Sequence, residues 1–167
     1  MALPFTLSLL TLLLAAAWRD LATRTIPDSV SVLIAVTGLV VRALEGPLAL
    51  VLSIGTAVLL LTILLVIYAK DMIGGGDVKI LAALAFALSP LDTYRLVVAT
   101  ALAGGFLAIA YLLLGHQLRR TPGPAPKSSL GRVLAIESWR VRHRGPLPYG
   151  LAIAAGGTFV LLFPGSF

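Results

Sequence analysis

Two aspartates carry the chemistry this sequence can offer. Asp77 follows three glycines in Ile73-Gly74-Gly75-Gly76-Asp77-Val78-Lys79, at the head of an apolar segment. Asp20 closes the first apolar segment, in Arg19-Asp20-Leu21-Ala22-Thr23-Arg24. A carboxylate at the edge of a bilayer is costly to hold, which marks both as functional candidates. Two nearby carboxylates can share one proton, because their like charge makes one easier to protonate and lets the other ionise. The ionised member takes a proton from water and the protonated member polarises a scissile carbonyl. Such a pair titrates as a unit, so acid and base are not assigned to individual residues. Gly74, Gly75 and Gly76 would admit an extended substrate backbone, adopt dihedrals that other residues resist, and let the loop move.

Plainer readings stand beside these. Asp77 suits a helix N-terminus, where free N–H groups and the helix dipole favour a carboxylate. Asp20 suits an interfacial acid paired with Arg19 or Arg24. Lys79 lies two residues past Asp77 and need not share its helix face; it either tunes the charge of the site or marks the cytoplasmic side. Asp28 is expected to cap the second helix, Asp71 to neighbour Lys70, and Tyr149 to sit at the interface, with a hydrogen bond near the site as the alternative. Gly104-Gly105 and Gly156-Gly157 are expected to permit close helix packing.

The elements that must position the two acids are membrane helices. The chain has 167 residues, 59% of them hydrophobic and 12% charged, with a mean hydropathy of +1.01. Such values belong to polytopic membrane proteins and leave no room for a sizeable soluble domain. The net charge of +6 is read as cytoplasmic loop charge and not as a nucleic-acid surface. Cysteine is absent, which excludes disulfides, thiol catalysis and thiolate-held zinc. The two histidines, His116 and His143, form no metal motif, and no cofactor is expected. The N-terminus lacks a basic region ahead of its apolar stretch and is read as a retained first helix.

A bilayer core of about 30 Å takes roughly 20 apolar residues per straight helix. Six candidate segments follow: Leu3 to Trp18, Val30 to Val41, Leu48 to Ala69, Val78 to Leu88, Leu96 to Gly115 and Pro148 to Phe163. The second and fourth are short, and are either re-entrant or extended through polar flanks. With the N-terminus outside, the loops around residues 19–29, 70–79 and 116–147 hold 11 of the 13 basic residues, leaving only Arg42 and Arg95 outside. The positive-inside rule thus selects an all-α, N-out/C-out polytopic protein of about six transmembrane helices. Asp20 and Asp77 then both lie at the cytoplasmic boundary. The chain reads as a single integral-membrane domain over residues 1–167. Its one long loop, residues 116–147, opens on a stiff proline-rich linker and continues in a basic stretch, Leu130 to Val141, suited to an amphipathic helix on the membrane surface.

Taken together, these residues resemble the type IV prepilin peptidases, membrane aspartyl proteases of the Gly-x-Gly-Asp class. The resemblance rests on Gly74-x-Gly76-Asp77-Val78-Lys79, on Asp20 within Arg19 to Asp28, and on Pro148-Tyr149-Gly150-Leu151 through Gly156, which is similar to the family's last-helix motif. It implies Asp20 and Asp77 as the catalytic pair, with Gly74, Gly75, Gly76 and Lys79 in the active-site loop. It implies a prepilin-like protein as substrate, cut at the cytoplasmic face of the inner membrane to release its basic leader. Attraction of that leader is expected from local acids such as Asp28 and Asp71. The long form of the family carries a cytoplasmic insertion with paired cysteines, linked to N-methylation. This chain lacks both cysteines and insertion, resembles the short form of Tad/Flp pilus systems, and is not expected to methylate. The competing readings are a small ion- or proton-coupled transporter, which calls for an acid deep in a span, and a non-enzymatic pilus assembly factor, which would tolerate loss of both acids. Partners beyond substrate and lipid, and the oligomeric state, are not legible.

Overall fold

In a computed structural model, the described residues are 3–23, 25, 27–118, 147 and 149–163. They form six helices and no strand: α1 (Leu3–Thr23), α2 (Asp28–Glu45), α3 (Pro47–Tyr68), α4 (Gly75–Ala85), α5 (Pro90–Leu118) and α6 (Tyr149–Leu162). Apart from its two ends, the long loop expected over residues 116–147 lies outside the described residues, and so does the surface helix expected within it.

Local chemistry sets the helix boundaries. Only Gly46 separates α2 from α3, at φ 123° and ψ 164°, a conformation that a side chain resists, and Pro47 then occupies the first turn of α3. At the other end of α3, the Asp71 N–H donates to the Tyr68 carbonyl and the Met72 N–H to the Ile67 carbonyl, with Asp71 at φ 55°. This is a Schellman ending, with an aspartate in the left-handed position that glycine usually fills. Asp71, expected as a neighbour of Lys70 and as a local acid for the leader, also has a conformational role. Ser89 starts α5: its Oγ accepts the Asp92 N–H at 3.1 Å, and its hydroxyl donates to Asp92 Oδ2 at 2.6 Å, with Pro90 at the first helical position.

The helices α1, α2, α3, α5 and α6 form a ring, each packed on the next and α6 closing on α1. Inside it, α4 packs against α2, α3, α5 and α6. Val78 and every residue from Ile80 to Ala85 are buried. With 11 residues, α4 is about 16 Å long at the usual helical rise and cannot cross a bilayer. The half-length fourth segment is thus a buried core helix, closed by turns at Ala87 and Leu88 before Ser89.

Among the described residues, three helices are long and apolar enough to cross a membrane: Leu3–Thr23, Pro47–Tyr68 and Pro90–Leu113, with Tyr149–Leu162 a shorter apolar helix. The 18 residues of α2 include Asp28, Arg42 and Glu45 near its ends. Large apolar side chains such as Leu7, Leu14, Val51, Leu59, Phe106 and Leu112 face outward. A surface of that kind is unfavourable in water and suits lipid. This is an all-helical architecture fitted to a multi-pass membrane protein.

Small residues let the ring close tightly around α4. A Cβ on Gly38 would sit 2.7 Å from the Ala87 backbone, and one on Gly156 would sit 2.7 Å from the Thr100 N and Oγ1. A Cβ on Gly157 would sit 3.0 Å from Leu13 Cδ1. Gly104 is equally crowded, whereas a Cβ on Gly105 would meet nothing within 4 Å, so its expected packing role is not realised.

At the end of the bundle where α4 finishes, both arginines pair with an acid three residues away. Arg42 bonds Glu45, and its Nε donates to Ser53 Oγ at 3.1 Å. Arg95 bonds Asp92 at 2.9 Å.

Candidate active site

The C-terminal end of α1 and the N-terminal ends of α4 and α6 converge. Asp20 lies in the last turn of α1 and is 7% exposed. Its Oδ2 accepts the backbone N–H of Gly150, in the first turn of α6, at 2.9 Å. A buried carboxylate needs such donors, and the start of a helix supplies free N–H groups and a favourable dipole. The plainer sequence reading pairs Asp20 with Arg19 or Arg24, and Arg24 lies outside the described residues; among the described residues one partner of Asp20 is Gly150, 130 residues away.

Asp77 lies in the first turn of α4, as the helix-start reading expects. Its carboxylate folds back over the residue before the helix, and a Cβ on Gly74 would sit 3.0 Å from Asp77 Oδ2. Gly74 has φ −73° and ψ 143°, ordinary extended backbone, and Gly75 and Gly76 already belong to α4. Among the described residues the only glycine with positive φ is Gly46. The glycine run is therefore not there for unusual dihedrals, as the sequence suggested. At Gly74 the missing side chain makes room for the Asp77 carboxylate, and a Cβ on Gly75 would lie 3.4 Å from the Tyr68 ring.

The two acids, distant in sequence, line the same space. A cavity of about 600 Å³ lies between α3 and α5, beside α4, and Asp20, Gly74, Asp77 and Tyr149 border it. The rest of its wall is mainly apolar and includes Leu64 and Ile67 from α3, Leu81 from α4 and Val97 from α5. A second cavity of about 310 Å³ shares Asp20, Gly74 and Asp77, and is otherwise lined by Thr25, Gly75, Gly76 and Lys79. The acids thus stand where an apolar and a polar cavity meet. A carboxylate pair in such a place can polarise a carbonyl and activate a water within a partly dry wall.

Lys79 borders the polar cavity, and its Nζ donates to Asp28 Oδ1 at 2.7 Å. Both side chains are largely exposed. Asp28 does not cap α2: the N-cap position is Pro27, there is no side-chain cap bond, and Asp28 is the first helical residue. Sequence reasoning placed Tyr149 at the interface, with hydrogen bonding near the site as its alternative, and gave Gly150 no individual role. The structure puts Tyr149 in the cavity wall and Gly150 on Asp20. The signal for both was the Pro148-Tyr149-Gly150 step at the head of the last apolar segment. Among the described residues no group of three His, Cys, Asp or Glu side chains could hold a metal ion.

No curated protein and no solved structure gives a significant match to this chain. The type IV leader peptidase family does match, over residues 7–111, a stretch that runs from α1 into α5 and contains both acids and the glycine run. That is 105 of the 167 residues, and the chain belongs to the type IV leader peptidase family.

Proposed function

We propose that the protein is an aspartyl endopeptidase in which Asp20 and Asp77 form the catalytic pair. The observation that carries this reading is that the two acids, one from α1 and one from α4, border the same two cavities. One carboxylate takes a proton from the attacking water while the other, protonated, polarises the scissile carbonyl. The substrate is a prepilin-like protein, cleaved at the cytoplasmic face of the inner membrane, where the C-terminal end of α1 and the N-terminal ends of α4 and α6 converge. The opposite linings of the cavities suit a substrate whose scissile bond joins a polar leader to an apolar segment. The leader side lies by Thr25, Gly75, Gly76 and Lys79, and the apolar side lies between α3 and α5.

The test is co-expression with an Flp-type prepilin, reading leader removal by gel shift, for wild type, Asp20→Asn and Asp77→Asn at matched membrane abundance. Loss of cleavage in both variants, by about a thousandfold, is the expected outcome for groups that transfer protons in the reaction. Undiminished cleavage by either variant removes that residue from the mechanism. A second prepilin panel separates a wrong substrate from a wrong reaction should wild type fail to cut.

A further inference from the structure

We infer that the Tyr149-Gly150 step at the head of α6 is the positioning element for Asp20, with Gly104 on α5 as its socket. The inference rests on the reading of Asp20 and Asp77 as the catalytic pair. It concerns what holds Asp20 in place, since α1 alone leaves a side chain near its C-terminus free to choose among rotamers.

Three contacts make the argument. The Gly150 N–H bonds Asp20 Oδ2 at 2.9 Å in a buried setting. The same residue leaves no space for a side chain: a Cβ there would lie 2.8 Å from both Asp20 Cβ and Oδ2. Position 150 therefore both donates to the carboxylate and fits against it, and any larger residue must push Asp20 aside. The third contact fixes α6 itself. A Cβ on Gly104 would lie 2.9 Å from Tyr149 Cε2 and 3.2 Å from its hydroxyl oxygen, so the ring is seated on bare α5 backbone. Tyr149 thereby sets where the first turn of α6 begins, and the next residue presents its N–H to Asp20. One carboxylate oxygen is engaged by this donor, which limits the rotamers open to the group.

The test measures kcat and KM separately on the prepilin that wild type cleaves, with thermal unfolding of each purified full-length variant. Displacing a reacting group by about 1 Å can cost a hundredfold, so Gly150→Ala is expected to lose about that factor in kcat, with KM within about twofold and a normal unfolding transition. Gly104→Ala is expected to lose about tenfold or more in kcat by lifting the Tyr149 ring. Gly105→Ala, one residue away with open space around it, is the control and keeps wild-type kinetics. Tyr149→Phe, which keeps the ring, is expected to retain about tenfold more kcat than Tyr149→Ala. The inference is overturned if Gly150→Ala or Gly104→Ala keeps wild-type kcat, or if their losses appear only in KM or in unfolding temperature. Should Gly150→Ala fail to accumulate, Gly104→Ala and the two Tyr149 variants decide the matter. Asp20→Asn is run beside them: dead Asp20→Asn with an active Gly150→Ala refutes only the positioning role, whereas an active Asp20→Asn refutes the acid pair itself.

Discussion

The backbone N–H of Gly150 reaches across 130 residues of sequence to the Asp20 carboxylate, joining the start of α6 to the end of α1. This bond ties an acid inside the family-matched stretch, residues 7–111, to a glycine outside it. The geometry of the site is consequently a property of the whole bundle and not of the Gly-x-Gly-Asp loop alone.

The Gly74 position gives a graded prediction. A methyl group there presses on Asp77 Oδ2 at 3.0 Å, while one on Gly75 meets the Tyr68 ring at an ordinary 3.4 Å. Gly74→Ala is expected to lower kcat by about tenfold to a hundredfold through misplacement of the carboxylate, and Gly75→Ala by much less. Steady-state cleavage of a prepilin by the two purified variants checks the order.

The Lys79–Asp28 pair is exposed and should matter little to stability. Lys79→Met is expected to change unfolding free energy by no more than about 1 kcal/mol. It also releases Asp28 at the edge of the polar cavity. KM for a substrate with a basic leader is then expected to fall at low salt, and the gain to fade as salt screens it. KM measured across a salt series distinguishes this from a packing effect.

Helix glycines divide by their surroundings. Gly156→Ala forces a methyl group onto the Thr100 backbone and is expected to destabilise by about 1–3 kcal/mol. Gly55→Ala, also inside a helix but with nothing within 4 Å, is expected to stabilise by up to about 1 kcal/mol. Thermal unfolding in one detergent reports both signs.

Two helix ends offer stability changes, at Ser89 far from the acids and at Asp71 beside the cavity wall. Ser89→Ala removes the cap of α5 and is expected to cost about 1 kcal/mol without altering cleavage. Asp71→Gly relieves the left-handed aspartate that ends α3 and is expected to add about 1 kcal/mol. Paired unfolding and cleavage assays check each.

The sequence made the helices legible because runs such as Leu48 to Ala69 have only one solvent in which they are stable. It marked Asp20 and Asp77 as candidates because ionisable groups are so rare at the ends of such runs, and the structure brings both to the same two cavities. It did not make α4 legible as a buried core helix, since an apolar stretch of that length reads the same whether lipid or protein surrounds it. The glycine run suggested unusual dihedrals, but Gly74 serves by what it lacks beside Asp77, a side-chain volume that only the fold defines. Asp28 looked like a cap because it precedes an apolar run. Its pairing with Lys79 depends on α2 and α4 being neighbours, which no local pattern encodes. Gly150 was hidden for the same reason, its partner lying at the far end of the chain.

The enclosure of α4 has a consequence for biogenesis. Too short to insert by itself, it acquires its surroundings from α2, α3, α5 and α6, and the last of these emerges from the ribosome after both acids have been made. A nascent chain that has not yet produced α6 holds Asp20 and Asp77 but lacks the Gly150 donor and part of the cavity wall. On the proposed reading, proteolytic competence is therefore delayed until synthesis has passed the final helix, and an interrupted translation product carries the acids without the enzyme.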